Sequence, residues 1–336
     1  MPRSIRGLRR IQLRVKDLCR KKSIDRLTGE TVLEKNHQPS PPDTTLVYAV
    51  DQRNAYAMMI SLSSALEQSN GLAGVCVLYS GNDQERVSRH LQRTCGEISF
   101  RLINAIDELQ RLKGRALPLG TIGDVAYLKF LVPEFVETPR AVFLDADTIV
   151  LSDLRGLYEQ ALHGRPVGAV QDWLVPTVLC QNSPIRDYLD QVDDQPYLNS
   201  GVMVMDIERL RRLDLLSEAA KYRGIKVRYS DQDLYNLLLM GNWTAVDPVW
   251  NYPIDSTLVE VSRREQHDQL WSERKICHYM GTKKPWIFPF NIRSANRDFV
   301  ACRQRSSLRY WIPTPLSPSS LRYYAGYARR KFGNEF

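Results

Sequence analysis

Two aspartates, Asp145 and Asp147, stand two residues apart directly behind the apolar run Val142-Phe143-Leu144. Carboxylates this close repel each other unless a cation lies between them. Their oxygens suit Mg²⁺ or Mn²⁺, and such an ion commonly completes its shell with phosphate oxygens. Ligands in open parallel sheets bind beyond the carboxyl ends of strands, which is where this pair falls. On a strand, residues two apart also share one face. The alternative is a solvated turn that carries two acids.

His278 follows Lys275-Ile276-Cys277, and Gly281, Lys284, Pro285 and Trp286 come after it. An imidazole joins two carboxylates on an ion of the Mn²⁺ type. Lys284 has the charge to neutralise a diphosphate, and Gly281 lets backbone approach the phosphates. The competing reading is a hydrogen-bonded structural histidine. Asn199 leads into the apolar run Gly201–Met205. It either caps backbone or aims an amide at sugar hydroxyls. Asp231-Gln232-Asp233 opens a helix, where acids serve as caps or as ligands.

These residues need a scaffold, and the apolar patterning supplies one. Thr45–Val50, Gly74–Tyr79, Ile98–Ile103, Ala141–Leu144 and Gly201–Met205 read as strands. Asn54–Gln68, Asp83–Arg93, Ala126–Phe135, Ile207–Arg223 and Gln232–Met240 read as helices. The alternation predicts a largely parallel sheet with helices on both faces. Ile276–Tyr279 reads as a final central strand. Residues 152–200 show no clear periodicity and read as a long functional loop region.

Flanking segments differ in character. Residues 1–34 read as a basic amphipathic helical extension, 35–44 as a proline-rich linker, 45–290 as the globular domain, and 291–336 as an irregular basic and aromatic tail. The net charge is +8. Residues 1–30 and 291–336 each carry +7, which leaves −6 for the middle. Basic ends on an acidic globule point to a polyanionic surface, either an anionic membrane or nucleic acid. Aromatic residues among the tail's arginines suit a membrane interface, and no nucleic-acid motif accompanies them. Six scattered cysteines show no zinc or redox spacing and read as reduced. No run is long and apolar enough to span a bilayer, and no signal peptide is evident. The expectation is a cytoplasmic protein, peripheral on the inner face of the cell membrane.

Four segments in order resemble glycosyltransferase family 8, the retaining group that includes glycogenin and bacterial lipopolysaccharide galactosyltransferases. They are Phe143-Leu144-Asp145-Ala146-Asp147, Tyr197-Leu198-Asn199-Ser200-Gly201-Val202, Ser230-Asp231-Gln232-Asp233, and His278-Tyr279-Met280-Gly281-Thr282-Lys283-Lys284-Pro285-Trp286. The resemblance covers roughly residues 45–290. It implies a GT-A (Rossmann-like) α/β fold, a mixed sheet flanked by helices. It implies Mn²⁺ or Mg²⁺ held by Asp145, Asp147 and His278, with Ala146 in the nucleotide-sugar site between the two acids. Gly281 and Lys284 resemble the diphosphate binders, and Asp51 resembles the acid that contacts the uracil end. Asn199 and Asp231 resemble donor-sugar contacts. Gln232 resembles the residue beneath the anomeric carbon, which makes it and Asp231 the catalytic candidates. Asn54 stands where the family often has an aromatic residue, and Lys129 where it often has arginine. Lysine keeps the charge and loses bidentate geometry.

The implied activity is metal-dependent, retaining transfer of a hexose, galactose or glucose, from a UDP-sugar to a glycan or lipid-linked acceptor. Neutral Gln232 is a poor nucleophile, so front-face displacement fits better than a covalent glycosyl-enzyme. The competing function classes are a nucleic-acid-binding protein and a non-catalytic sugar-nucleotide binder on the same fold.

Overall fold

The computed structural model describes residues 44–69, 71–114, 124–189, 191–222, 225–281, 284–286 and 296–311. The expected N-terminal helix, the linker up to residue 43 and the tail beyond 311 lie outside them. Ten strands are described: β1 Thr44–Val50, β2 Gly74–Tyr79, β3 Phe100–Asn104, β4 Arg140–Leu144, β5 Thr148–Val150, β6 Val167–Gln171, β7 Leu198–Asp206, β8 Thr244–Ala245, β9 Tyr252–Pro253 and β10 Ile276–His278. The described α-helices of seven residues or more are α1 Ala55–Gln68, α2 Gln84–Cys95, α3 Ile106–Gly114, α4 Ile207–Leu213, α5 Asp231–Leu239 and α6 Asn296–Arg305.

Seven strands form the main sheet in the order β3-β2-β1-β4-β7-β6-β8. The β3, β2, β1 and β4 neighbours run parallel, and β7 runs antiparallel to both β4 and β6. The sheet is therefore mixed. Alternation along the strands feeds two cores. Leu46, Tyr48 and Val50 of β1, with Val142 and Leu144 of β4, pack under α1, α2 and α6. Val47, Ala141 and Phe143 face the opposite cluster, which draws on α4 and α5.

A second sheet of three strands, β5-β10-β9, carries His278. Strand β10 was expected in the centre of the main sheet and instead pairs antiparallel with β5, placing His278 opposite Thr148. Three residues of strand suffice because β5 is itself pinned to α1. Ser64 Oγ accepts the Val150 N–H at 2.9 Å, and Ser61 Oγ lies 2.9 Å from Thr148 Oγ1.

Several elements depart from the sequence expectation for local reasons. Residues 124–131 form a 3₁₀ helix, followed by a four-residue α-turn at Val132–Phe135, instead of one α-helix over 126–135. Pro133 has no N–H for the Lys129 carbonyl, and that carbonyl accepts from Tyr235 Oη instead, at 3.3 Å. The expected helix 207–223 breaks at Asp214, which lies at φ 42° and caps the next turn through Ser217 N. Strand β6 lies inside the stretch read as loop, and β7 begins at Leu198, three residues earlier than expected. Residues 296–305, expected to be irregular, form α6, which buries Phe299 and Cys302 in the core.

Candidate active site

Asp145 and Asp147 sit in the turn between β4 and β5. The turn is closed by Thr148, whose N and Oγ1 both donate to the Asp145 carbonyl, at 3.3 and 2.9 Å. The Tyr279 N–H donates to the Asp147 carbonyl at 2.9 Å, locking β10 onto the same turn. His278 Nε2 thereby stands 3.2 Å from Asp147 Oδ1 and 3.8 Å from Asp145 Oδ2. One ligand atom from each of the three side chains lies within 4.8 Å of the others. His278 Nδ1 is 2.8 Å from Asn251 Oδ1. With the Nδ1 proton given to Asn251, lone pairs alone converge between the three side chains. A divalent cation fits that donor set.

Gly201 of β7 makes room for this arrangement. A Cβ there would lie 2.2 Å from His278 Cε1 and 2.9 Å from Asp145 Oδ2. The Ser-Gly pair in the sequence therefore marks a steric requirement of the site.

Two lysines balance the acids from opposite sides. Lys129 is buried, with Nζ 2.6 Å from Asp231 Oδ2, 3.0 Å from Asp145 Oδ1 and 3.1 Å from the Ser200 carbonyl. Burial would depress its ammonium, but Asp145 and Asp231 outweigh that and hold its pKa above the ordinary value. Lys284 Nζ pairs with Asp147 Oδ2 and donates to the Tyr279 carbonyl at 2.7 Å. Burial pushes the Asp147 carboxyl up, yet Lys284 and His278 prevail and hold it well below the usual carboxylate range. Asp145 goes the other way: burial raises its pKa beyond what Lys129 lowers. Their surroundings thus push the two carboxyls in opposite directions within one site.

Behind them runs a buried polar network. Asn251 Nδ2 donates to Asn199 Oδ1 at 2.8 Å, and Asn199 Nδ2 donates to Asp172 Oδ2 at 2.8 Å. Gln232 Nε2 donates to the same Asp172 oxygen at 3.2 Å, and Gln232 Oε1 accepts the Ser200 N–H at 3.2 Å. The other Asp172 oxygen accepts the N–H groups of Leu174 and Val175 at 2.9 and 2.8 Å. Asp231 does not cap its helix. Its carboxylate takes the Ser200 hydroxyl at 2.7 Å as well as Lys129. Asp233 accepts from Tyr197 Oη and from the Arg228 and Tyr229 N–H groups, a structural role.

All twelve site residues read from the sequence line one cleft of about 560 Å³: Asp51, Asn54, Lys129, Asp145, Ala146, Asp147, Asn199, Asp231, Gln232, His278, Gly281 and Lys284. Gly281 lies at φ 76°, the left-handed region that glycine enters without strain. Asp51 Oδ1 accepts both the backbone N–H and the Nδ2 of Asn54, at 3.0 and 2.9 Å. Tyr56, two residues after Asn54, stacks on Trp311 with the ring centroids 5.5 Å apart and does not line the cleft. Sequence reasoning missed Asp172 and Asn251. Asp172 follows β6 as Asp145 follows β4, but polar Gln171 separates it from the apolar run, and Gly168 weakens that run as a strand signal. Asn251 gives no sequence signal.

Residues 45–288 match the family model described as Glycosyl transferase family 8. Glycosyltransferase GlyF of Streptococcus pneumoniae serotype 4 is 28% identical over 169 residues, 49% of this chain and 38% of that protein. General stress protein A of Bacillus subtilis is 25% identical over 181 residues, 49% of this chain and 60% of that one. Lipopolysaccharide 1,2-glucosyltransferase of Escherichia coli K12 is 28% identical over 152 residues, 44% of each. In each case the alignment spans less than two thirds of the relative's length. Among solved structures, galactosyltransferase LgtC in complex with donor and acceptor sugar analogs superposes with a TM-score of 0.61. The identity is 22%, over 78% of this chain and 96% of that one. At that identity the likeness establishes the GT-A fold.

Proposed function

The chain belongs to glycosyltransferase family 8, and from there we propose that it transfers galactose or glucose from a UDP-sugar to a glycan or glycolipid hydroxyl, with retention and with Mn²⁺ or Mg²⁺ bound. The observation that carries this reading is the convergence of Asp145, Asp147 and His278 beside Lys284 at the strand ends. A bound divalent ion supplies positive charge to the departing diphosphate. Lys284 adds a point charge to the same wall. Gly281 brings its backbone there without a side chain. Asp51, at the end of β1, offers its carboxylate to the nucleoside end of the cleft.

Gln232 has both side-chain amide atoms engaged, by Asp172 and the Ser200 N–H, and Asp231 is held through Oδ2 by Lys129 and the Ser200 hydroxyl. Neither is a loose nucleophile, which supports front-face displacement. There the acceptor enters on the side from which the diphosphate leaves, and a diphosphate oxygen takes the acceptor proton. Retention follows without a covalent glycosyl-enzyme. Mass spectrometry that traps a sugar on Gln232 or Asp231 would contradict this.

No helix among the described residues is long and apolar enough to cross a membrane. Peripheral attachment to an anionic bilayer is supported by the folded domain as well as by the basic ends. Arg86, Arg89 and Arg93 occupy one exposed side of α2. Thr94 Oγ1, 3.2 Å from Ser307 Oγ, joins that helix to the segment carrying exposed Arg309 and Tyr310.

A screen of UDP-sugars with Mn²⁺, reading UDP release, tests the catalytic claim. Release with UDP-galactose or UDP-glucose, abolished in Asp147→Asn, is the expected result. Tight UDP-sugar binding without release, even with acceptor glycans present, would identify a binding protein instead.

A further inference from the structure

The polarity of the buried network behind His278 follows from its two ends. The Gly201 backbone N–H has only a proton to offer and donates to Asn199 Oδ1 at 2.9 Å. Asp172 Oδ2 accepts from Asn199 Nδ2 at 2.8 Å. Backbone donor and carboxylate acceptor together fix which way the Asn199 amide points. Asn251 must then present its Nδ2 to Asn199 Oδ1, where it stands at 2.8 Å. Its Oδ1 is left facing His278 Nδ1 at 2.8 Å, as an acceptor only.

We propose that Asn251 is a positioning residue that sets the tautomer of His278, accepting the Nδ1 proton so that Nε2 meets Asp145 and Asp147 as a bare lone pair. The inference deepens the metal-dependent reading and rests on it. Asn251, Asn199 and His278 are all buried, at 1%, 4% and 4% exposure, so water does not compete for these bonds. Metal-bound histidines almost always give their second ring proton to a carboxylate, carbonyl or water, which fixes ring orientation. A side-chain amide does so here, and its own orientation is inherited through Asn199 from β7. The same Asp172 oxygen receives Gln232 Nε2. The metal ligand and the residue proposed to lie beneath the anomeric carbon therefore hang on one chain of four hydrogen bonds.

The test is ¹⁵N NMR of histidine-labelled full-length protein at pH 8 with saturating Mg²⁺, the His278 signals being those lost in His278→Gln. The expected wild-type spectrum has a proton-bearing, pyrrole-type Nδ1 and a pyridine-type Nε2. In Asn251→Leu the two tautomers should mix, and Mn²⁺ affinity, read by electron paramagnetic resonance of free Mn²⁺, should fall roughly 10–100-fold. Asn251→Asp restores an acceptor for Nδ1 and should restore the wild-type tautomer. A pyrrole-type Nε2 in the wild type overturns the proposal, whatever the variants do. So does an unchanged tautomer in Asn251→Leu. If the wild type shows the expected tautomer but no Mn²⁺ binds, the metal reading fails while the tautomer assignment stands.

Discussion

At the scale of single residues, the site depends on a missing atom and on a buried charge. Gly201→Ala should weaken Mn²⁺ binding about tenfold or more, because the added Cβ would collide with the His278 ring. Calorimetric Mn²⁺ titration checks this, and undiminished affinity would show that the imidazole is not held where the structure puts it. Lys129→Met leaves Asp231 buried without its cation. Removing one partner of such a pair costs about 3–5 kcal/mol. Urea denaturation of the metal-free protein should show a loss of that size, and a loss under 1 kcal/mol would contradict it. The residues bearing charge or imidazole were legible in the sequence because few side chains can serve a metal or a diphosphate. Asn251 and Asp172 were not. An amide or a lone acid becomes informative only once its neighbours in space are known, and those lie 27 to 60 residues away along the chain.

At the scale of elements, function turns on how the β4–β5 turn is clamped. Helix α1 holds it from one side through Ser61 and Ser64, and β10 holds it from the other. Ser64→Ala would orphan the buried Val150 N–H, a change that costs about 1–3 kcal/mol. It should lower the thermal midpoint and weaken Mn²⁺ binding together. A variant that loses stability alone would separate β5 from the site. Strands β1, β2 and β4 were legible because each holds a continuous apolar run buried between the two cores. Strand β10 was visible as an apolar run, but its partner was not. Nothing local says that Ile276-Cys277-His278 joins β5 in a separate small sheet. Pro133 and Asp214 interrupt stretches whose apolar periodicity alone reads as continuous helix.

At the scale of the whole molecule, the cleft gathers the carboxylates of Asp145, Asp147 and Asp231, while α2 and the 296–311 segment present arginines with Tyr310 outward. Co-sedimentation with anionic vesicles should fall steeply between low and high salt and weaken in Arg86→Ser/Arg89→Ser/Arg93→Ser, with metal binding unchanged. Salt-independent sedimentation, or equal binding to neutral vesicles, would refute this. A stronger preference for single-stranded nucleic acid over vesicles would reassign the basic face. The central claim is that Asp145, Asp147 and His278 hold a divalent ion that recruits a nucleoside diphosphate. Calorimetry of UDP binding, with and without Mn²⁺, in wild type and in Asp147→Asn, tests it most directly. UDP should bind only when Mn²⁺ is present, and the Asp147→Asn substitution should abolish that dependence along with the affinity. Equal UDP affinity with and without the ion in the wild type, or Mn²⁺-dependent UDP binding that survives in Asp147→Asn, would contradict the account.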